Sequence, residues 1–203
     1  DGDGTLWDED LSDADGPVIV DLDDVKPGDF GIIRFAFSSC DNPAFLWCNG
    51  NLTDASENGY TEPELDDPDE DGPNSDETVE LVDAIRVATV PGDVAGSLSS
   101  TDTLEVPGTQ SLRDLLEGGK EMPLDGDIEA PEGGGSEAAR NCFSGSSVHF
   151  YSFVWWLPID HGNEVQGDSA EFTLGFYTEQ CRHNDGVGLY QGVDLAEIDD
   201  DEE

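Results

Sequence analysis

The chain has 203 residues, of which 49 are Asp or Glu and only 7 are Lys or Arg, so its formal net charge is −42. Self-repulsion of this size opposes a compact state in dilute solution, but the Debye length falls to about 3 Å at 1 M salt. We therefore interpret the chain as a protein adapted to concentrated salt. The scarcity of cationic residues argues against nucleic acids and anionic membrane surfaces as partners.

The apolar residues indicate a folded core inside this acidic shell. Hydrophobic residues make up 35% of the chain, and its 9 Phe, 4 Tyr and 4 Trp cluster in a few runs. We place a single domain at residues 17–196, between an acidic N-terminal segment at 1–16 and an acidic tail at 197–203. No stretch approaches the run of about 18 apolar residues that a membrane-spanning helix needs, so we predict no membrane span.

Alternating or continuous apolar runs predict strands along much of the chain. The first two runs flank Lys26-Pro27-Gly28-Asp29, in which Pro and Gly favour a tight turn. The strands are predicted at residues 17–22 (PVIVDL), 30–38 (FGIIRFAFS), 44–47 (AFLW), 147–157 (SVHFYSFVWWL), 171–178 (EFTLGFYT) and 189–195 (LYQGVDL).

Two short helices interrupt this pattern. Apolar residues at helical spacing, followed by apolar residues that alternate, predict a helix that runs into a strand across 77–90. Ser111 begins a second helix as a side-chain cap, and Gly118-Gly119 ends it. Residues 53–78 are predicted to form a surface insertion and residues 121–139 to be irregular. Together these elements indicate an all-β fold, an antiparallel β-sandwich with short helical insertions.

Four segments are specific enough to suggest a family: VDLDDVKPGDFG at 20–31, CDNP at 40–43, WWLP at 155–158 and GNEVQGDSAEFTLGFYTEQCRHN at 162–184. Together they resemble the haloarchaeal branch of the TasA/camelysin family, which are secreted proteins processed by a SipW-type signal peptidase. The resemblance implies a jelly-roll sandwich at the cell surface. It also implies a structural, non-catalytic role in an extracellular filament, either a bundling pilus or a biofilm matrix fibre.

In relatives of this kind, a strand near the N-terminus of one subunit completes a sheet of the next subunit. Such donor-strand complementation propagates head to tail, so the expected partners are further copies of the chain, along the filament and in lateral bundles. The candidate donors are Leu6 and Trp7, or else Val18 and Val20. The accepting groove is predicted to be floored by Phe35, Phe37, Phe150, Phe153, Trp155, Phe172 and Phe176.

The cysteines fit an extracellular chain, because their number is even and no CxxC pair suggests zinc. Four cysteines allow three pairings. Cys40 and Cys181 each follow a predicted strand and both lie in the matching segments, so we predict the bonds Cys40–Cys181 and Cys48–Cys142. Other pairings, or free thiols, remain open. Asn51 begins the glycosylation motif Asn-Leu-Thr, which we place in a loop.

An acidic loop is the candidate metal site. Asp67, Asp69 and Asp71, followed by Gly72, match the start of a calcium-binding loop, in which alternate carboxylates wrap a hard cation. The twelfth position is Thr78, where such loops place a bidentate Glu. A solvated acidic loop is therefore the alternative. Calcium binding here also defines a rival function, that of a monomeric surface or adhesion module.

A second rival is a secreted metalloprotease, because camelysin carries that label. A zinc protease needs a compact set of ligands such as HExxH. The histidines of this chain are His149, His161 and His183, and none of them has such spacing. We therefore predict that the protein is not an enzyme.

Overall fold

A computed structural model describes residues 18–58, 79–92, 108–117, 121–129, 140–162, 164–184 and 186–188. Its elements in chain order are β1 (Val18–Asp23), β2 (Phe30–Ser38), β3 (Ala44–Ser56), α1 (Glu80–Ala84), β4 (Arg86–Pro91), β5 (Gln110–Ser111), α2 (Leu112–Leu116), β6 (Met122–Leu124), β7 (Val148–Trp156) and β8 (Ser169–Gln180). The strand predicted at 189–195 and the acidic segments at 1–16 and 197–203 lie outside the described residues.

The strands form two antiparallel sheets. Sheet A has the order β1-β8-β3-β6 and sheet B has the order β2-β7-β4-β5. The first three strands alternate between the two sheets, and the last two strands lie at the centre of sheets B and A. This is the strand order of a jelly roll, so the prediction of an all-β sandwich with short helical insertions is confirmed.

The main core lies between the sheets, where alternation along each strand turns every second side chain inward. Phe153 of β7 and Phe172 of β8 are fully buried, and their ring centroids lie 6.5 Å apart across the sandwich. Cys48 of β3 faces the same interior and lies opposite Phe176 in the β3–β8 register. The inner faces of the two sheets therefore close on each other through large aromatic side chains.

A second, smaller core covers the outer face of sheet A. Phe45 and Trp47 of β3 are buried there, beneath Cys142 and Cys181 and against half-buried Tyr177. This explains why the apolar run AFLWC is buried at five consecutive positions, since a strand covered on both faces needs no polar side. The prediction of a short strand at 44–47 missed the further extension of β3 to Ser56.

Both predicted helices are present. The hydroxyl oxygen of Ser111 accepts the backbone N–H of Asp114 at 3.0 Å and caps α2 as expected. α1 followed directly by β4 matches the predicted helix that runs into a strand. In α1, the backbone N–H of Leu81 donates to Asp168 Oδ2 at 3.1 Å, which holds the helix against the turn before β8. The predicted irregular stretch at 121–139 contains β6, so that part of the prediction was wrong.

The disulfide bond joins Cys142 and Cys181, whose Cα atoms lie 6.2 Å apart, and the predicted pairs Cys40–Cys181 and Cys48–Cys142 are wrong. Cys48 points into the main core, on the opposite side of sheet A from Cys142 and Cys181. Cys40 is exposed just beyond β2, which belongs to sheet B. Both Cys40 and Cys48 are free thiols.

Candidate assembly site

One side of the sandwich is open because β8 of sheet A extends beyond the end of its edge strand β1. β1 pairs with β8 only along residues 169–174, ending at the pair Val18 and Leu174. On its other side β8 pairs with β3 along its whole length, as far as Gln180. Residues 175–180 therefore have no strand neighbour on the β1 side among the described residues, and this stretch is an available sheet edge.

β2 forms the edge of sheet B on the same side of the sandwich. All nine of its residues pair with β7, and no described strand lies on its other side. It contains no Pro, Lys, Asp or Glu, and Arg34 is its one charged residue. Long apolar edges of this kind are templates for another strand unless they are protected.

The other sheet edges are protected in the usual ways. β5 has two residues, and β6 has three with Pro123 at its centre. β1 carries Asp21 and Asp23, both exposed. Short strands, prolines and charges all discourage the addition of a further strand. Within the described chain, the side formed by β2 and residues 175–180 of β8 is thus the least protected.

Aromatic side chains line this open side. Phe35 of β2 and Phe176 of β8 meet edge to face across the sandwich, with ring centroids 4.7 Å apart. Phe37 follows on β2, 6.2 Å from the Phe176 ring and 5.0 Å from buried Phe143. Phe35, Phe37 and Phe176 are each only half-buried, and we call these three residues the aromatic rim. A strand laid along either edge would cover them.

The rim contains three of the seven residues predicted to floor a groove. Phe153 and Phe172 are instead fully buried in the closed core. Phe150 is 56% exposed on the opposite face of sheet B, because neighbouring side chains on a strand alternate between faces. The half-buried indole of Trp155 packs over Gly31, directly opposite it in the β2–β7 register. The prediction of a groove floor is therefore wrong for Phe150, Phe153 and Phe172, whereas for Trp155 it stays a prediction.

The structure describes one of the two predicted pairs of donor residues. Val18 and Val20 belong to β1 and pair within the chain, opposite Leu174 and Phe172 of β8. They complete this protomer's own sheet A, so their assignment to a strand for donation was wrong. Leu6 and Trp7, the other candidates, lie outside the described residues.

Carboxylates converge at a different place from the predicted metal loop. Asp67, Asp69 and Asp71 lie outside the described residues. Glu57, Glu80 and Asp168 each bring a carboxylate oxygen within 4.8 Å of the others, and Asp168 is buried. Three such oxygens can hold a cation whose other ligands come from water or backbone carbonyls. The residues are far apart in sequence and share no motif, so sequence reasoning had no signal from which to find them.

The histidines have separate surroundings. His149 packs against Phe37 and Phe143, and its Nε2 lies 3.0 Å from the carbonyl oxygen of Ser144. His161 Nδ1 lies 3.0 Å from a carboxylate oxygen of buried Glu164. Among the described residues, the set of three ligand side chains that converges contains no histidine.

Asn51 lies on β3, not in the loop that we predicted. Its side chain is exposed on the outer face of sheet A, and Nδ2 donates to the carbonyl oxygen of Leu52 at 3.2 Å. Thr53, the third residue of the motif, donates its hydroxyl to the backbone carbonyl oxygen of Glu171 at 2.9 Å. The motif is therefore accessible but sits in regular backbone.

Comparison of the sequence with protein-family models finds no match, and comparison with curated proteins finds none with significant similarity. In the described part of the chain, every helix is too short or too polar to cross a membrane.

Proposed function

We propose that the chain is a structural subunit of an extracellular filament, a bundling pilus or matrix fibre of a halophilic archaeon, which polymerises by donor-strand complementation. The observation that carries this proposal is the open side of the sandwich. There a nine-residue apolar edge strand, an uncovered stretch of β8 and a half-buried aromatic rim occur together. The intrachain disulfide is compatible with the oxidising conditions outside the cell.

The N-terminal segment supplies the donor in this proposal. Leu6 and Trp7 are the large apolar residues nearest the start of a segment that is otherwise rich in Asp and Gly. Ten residues lie between Trp7 and Val18, and the eleven Cα–Cα steps that join the two span about 36–40 Å in an extended chain. The segment can therefore reach a neighbouring protomer while β1 stays in its own sheet.

The energy of such a contact comes from two sources. Main-chain hydrogen bonds pair the donor with a sheet edge, and each buried large apolar side chain contributes about 1.5–3 kcal/mol. Because the donating and accepting surfaces differ, the contact is heterologous and does not close on itself. One subunit therefore adds to the next without limit, which yields a filament.

Electron microscopy of the purified full chain in concentrated salt tests the proposal. We expect filaments from the wild-type protein and none from either of two double variants. L6D/W7D removes the donor, and F35S/F176S removes the acceptor. I159S is the matched control, since it replaces an exposed apolar residue outside the strands and should leave the filaments intact.

Mixing the two double variants gives a sharper result. One retains an acceptor without a donor and the other retains a donor without an acceptor, so together they should form a dimer that cannot grow. Light scattering after gel filtration measures its mass. A wild-type chain that stays monomeric in concentrated salt, or filaments that persist in L6D/W7D, would contradict the proposal.

A monomeric calcium-binding surface module is the second candidate, and the convergence of Glu57, Glu80 and Asp168 favours it. It ranks below the filament because close carboxylates are common in a chain with 49 acidic residues. Equilibrium dialysis with calcium distinguishes the two, using E80Q as the variant and D54N as the control. Stoichiometric binding that E80Q abolishes, in a protein that never polymerises, would favour the module.

A further inference from the structure

Sheet B is free of acidic residues. None of the strand residues of β2, β4, β5 and β7 is Asp or Glu, although 49 of the 203 residues of the chain are acidic. The strands of sheet A, in contrast, carry Asp21, Asp23, Asp54, Glu171 and Glu179. In a protein with so many carboxylates, the lack of any on the strands of one sheet differs from the composition of the whole chain and needs a physical explanation.

The outward face of this sheet also exposes apolar side chains. Phe150 is 56% exposed and Val148 is 62% exposed on β7, the second strand of the sheet. Ala36 lies directly opposite Phe150, and Ser38 lies directly opposite Val148, so the four residues share one face. Ala36 and Ser38 are also exposed. We call these four residues the outer patch.

The outer patch is separate from the aromatic rim. Phe35 and Phe37 alternate with Ala36 and Ser38 along β2, so the rim faces the interior of the sandwich and the patch faces away from it. A strand donated to the open side would cover the rim and leave the patch exposed. An exposed apolar patch on a polar protein is typical of an interaction surface.

We propose that the outer patch is a contact between two copies of this chain, with the outer face of one sheet B packed against that of the other. Two molecules that each carry a net charge of −42 repel wherever carboxylates face each other. The outer patch lets them approach without that opposition. Concentrated salt strengthens the contact, because it screens the surrounding charge and favours the burial of apolar surface.

The partner is a second copy because each copy brings a face that is equally free of carboxylates, with Arg34 as its charged neighbour on β2. A donated strand is excluded as the occupant, since it needs a sheet edge and the patch lies on a sheet face. Four residues form a small contact, so a single pair of molecules associates weakly. Along two aligned filaments the contact repeats, and multivalency makes the association strong. That lateral role rests on the proposed function, whereas the pairing of two copies does not.

Sedimentation equilibrium of the full chain in concentrated salt tests the pairing in the L6D/W7D background, which removes polymerisation by the N-terminal segment. We expect a reversible monomer–dimer equilibrium. Adding F150D should weaken dimerisation at least tenfold, because it places a carboxylate on each side of the contact. N51D is the matched control, since it adds one negative charge at an exposed position on the outer face of sheet A and should leave the dimer constant unchanged.

Cross-linking provides the second measurement. In a C40S background, which removes the exposed native thiol, A36C should form a disulfide between two copies under mild oxidation, and N51C should not. A monomer in all conditions, an equal effect of F150D and N51D, or cross-linking through N51C but not A36C would overturn the inference. If wild-type filaments never appear but the dimer does, the proposed function fails and the outer patch stands. If filaments form and F150D leaves both the dimer constant and the lateral bundles unchanged, the reverse holds.

Discussion

Arg140 joins three separate parts of the chain. Its Nη2 donates to the carbonyl oxygens of Leu46 and Leu124, at 2.7 and 2.6 Å, and its Nη1 donates to that of Gly186 at 3.1 Å. The guanidinium carbon lies 4.5 Å from the ring centre of Trp47. Burial lowers the pKa of Arg140, yet a guanidinium keeps its charge in proteins. One side chain thus ties β3, β6 and the segment after β8 around the smaller core.

Lysine cannot reproduce this arrangement, because an ammonium group has neither the planar fork nor the reach to satisfy three carbonyls and stack on an indole. We expect R140K to lower the free energy of unfolding by about 1–3 kcal/mol. Denaturant titration in concentrated salt measures the change. R86K is the control, since Arg86 is half-buried and its Nη1 donates to the carbonyl oxygen of Asp83 at 3.0 Å. Equal effects of the two substitutions would contradict the role given to Arg140.

The cysteines give a second prediction at the scale of single residues. Replacing Cys142 and Cys181 with serine opens a loop whose ends are 39 residues apart, and the chain-entropy model gives a loss of about 4 kcal/mol. C40S should cost almost nothing, because that thiol is exposed. Peptide mapping of the native protein should find Cys142 linked to Cys181. A peptide that links Cys40 to Cys181 would contradict the structure.

The two free thiols should also differ in reactivity. Burial raises the pKa of Cys48 to about 12, so its thiol is neutral at physiological pH and shielded from reagents. Cys40 is exposed. A soluble alkylating reagent should therefore modify Cys40 in the native protein and reach Cys48 only after unfolding.

At the scale of elements, the sequence predicted best where local pattern and turn chemistry agree. The bounds of β2 were predicted correctly, because strict alternation follows a turn closed by the bond from the Asp29 N–H to the Lys26 carbonyl, with Gly28 at φ +92°. β6 was missed, since its three residues gain their strand conformation only by pairing with residues 46–48 of β3. That pairing is a tertiary contact, and no local sequence pattern predicts it.

The candidate site was only partly predictable for a related reason. Apolar alternation identifies which side chains share a face of one strand, but it does not say which face turns inward. Phe35, Phe37 and Phe176 were found because they lie on inner faces near an edge, and Phe150 was misplaced because it lies on the outer face. The predicted disulfide bond between Cys48 and Cys142 was wrong for the same reason, since the two residues are on opposite sides of sheet A.

The contact between β2 and β7 carries its own prediction. At Gly31 the indole of Trp155 occupies the space that a Cβ atom would need. We expect G31A to displace the indole and to lower the free energy of unfolding by about 1–3 kcal/mol, as overpacking does. Tryptophan emission should shift to longer wavelength as the ring becomes more exposed. S38A, at an exposed position on the same strand, should change stability by less than about 0.5 kcal/mol. An unchanged emission spectrum in G31A would contradict the packing described.

At the scale of the whole molecule, charge controls stability and assembly together. The net charge of −42 opposes both folding of one chain and the approach of two. The described strands show how the charge is distributed, with carboxylates in sheet A and none in sheet B. The outer patch lies wholly on sheet B, and the open side combines β2 of sheet B with residues 175–180 of β8, in which Glu179 is the one carboxylate. The proposed contacts therefore meet few carboxylates on the described strands.

The last prediction follows from that distribution. Raising potassium chloride from low concentration to several molar should raise the thermal midpoint steadily, because screening removes self-repulsion from the folded chain. A gain of about 5 kcal/mol corresponds to a rise of about 10–20 °C for a chain of this size. Calorimetry of the L6D/W7D variant measures the effect on the protomer alone. Sucrose at equal osmolality is the control, since it favours compact states without screening charge, and its effect should be much smaller. A midpoint that is independent of salt, or as responsive to sucrose as to potassium chloride, would show that charge repulsion does not limit the stability of this fold.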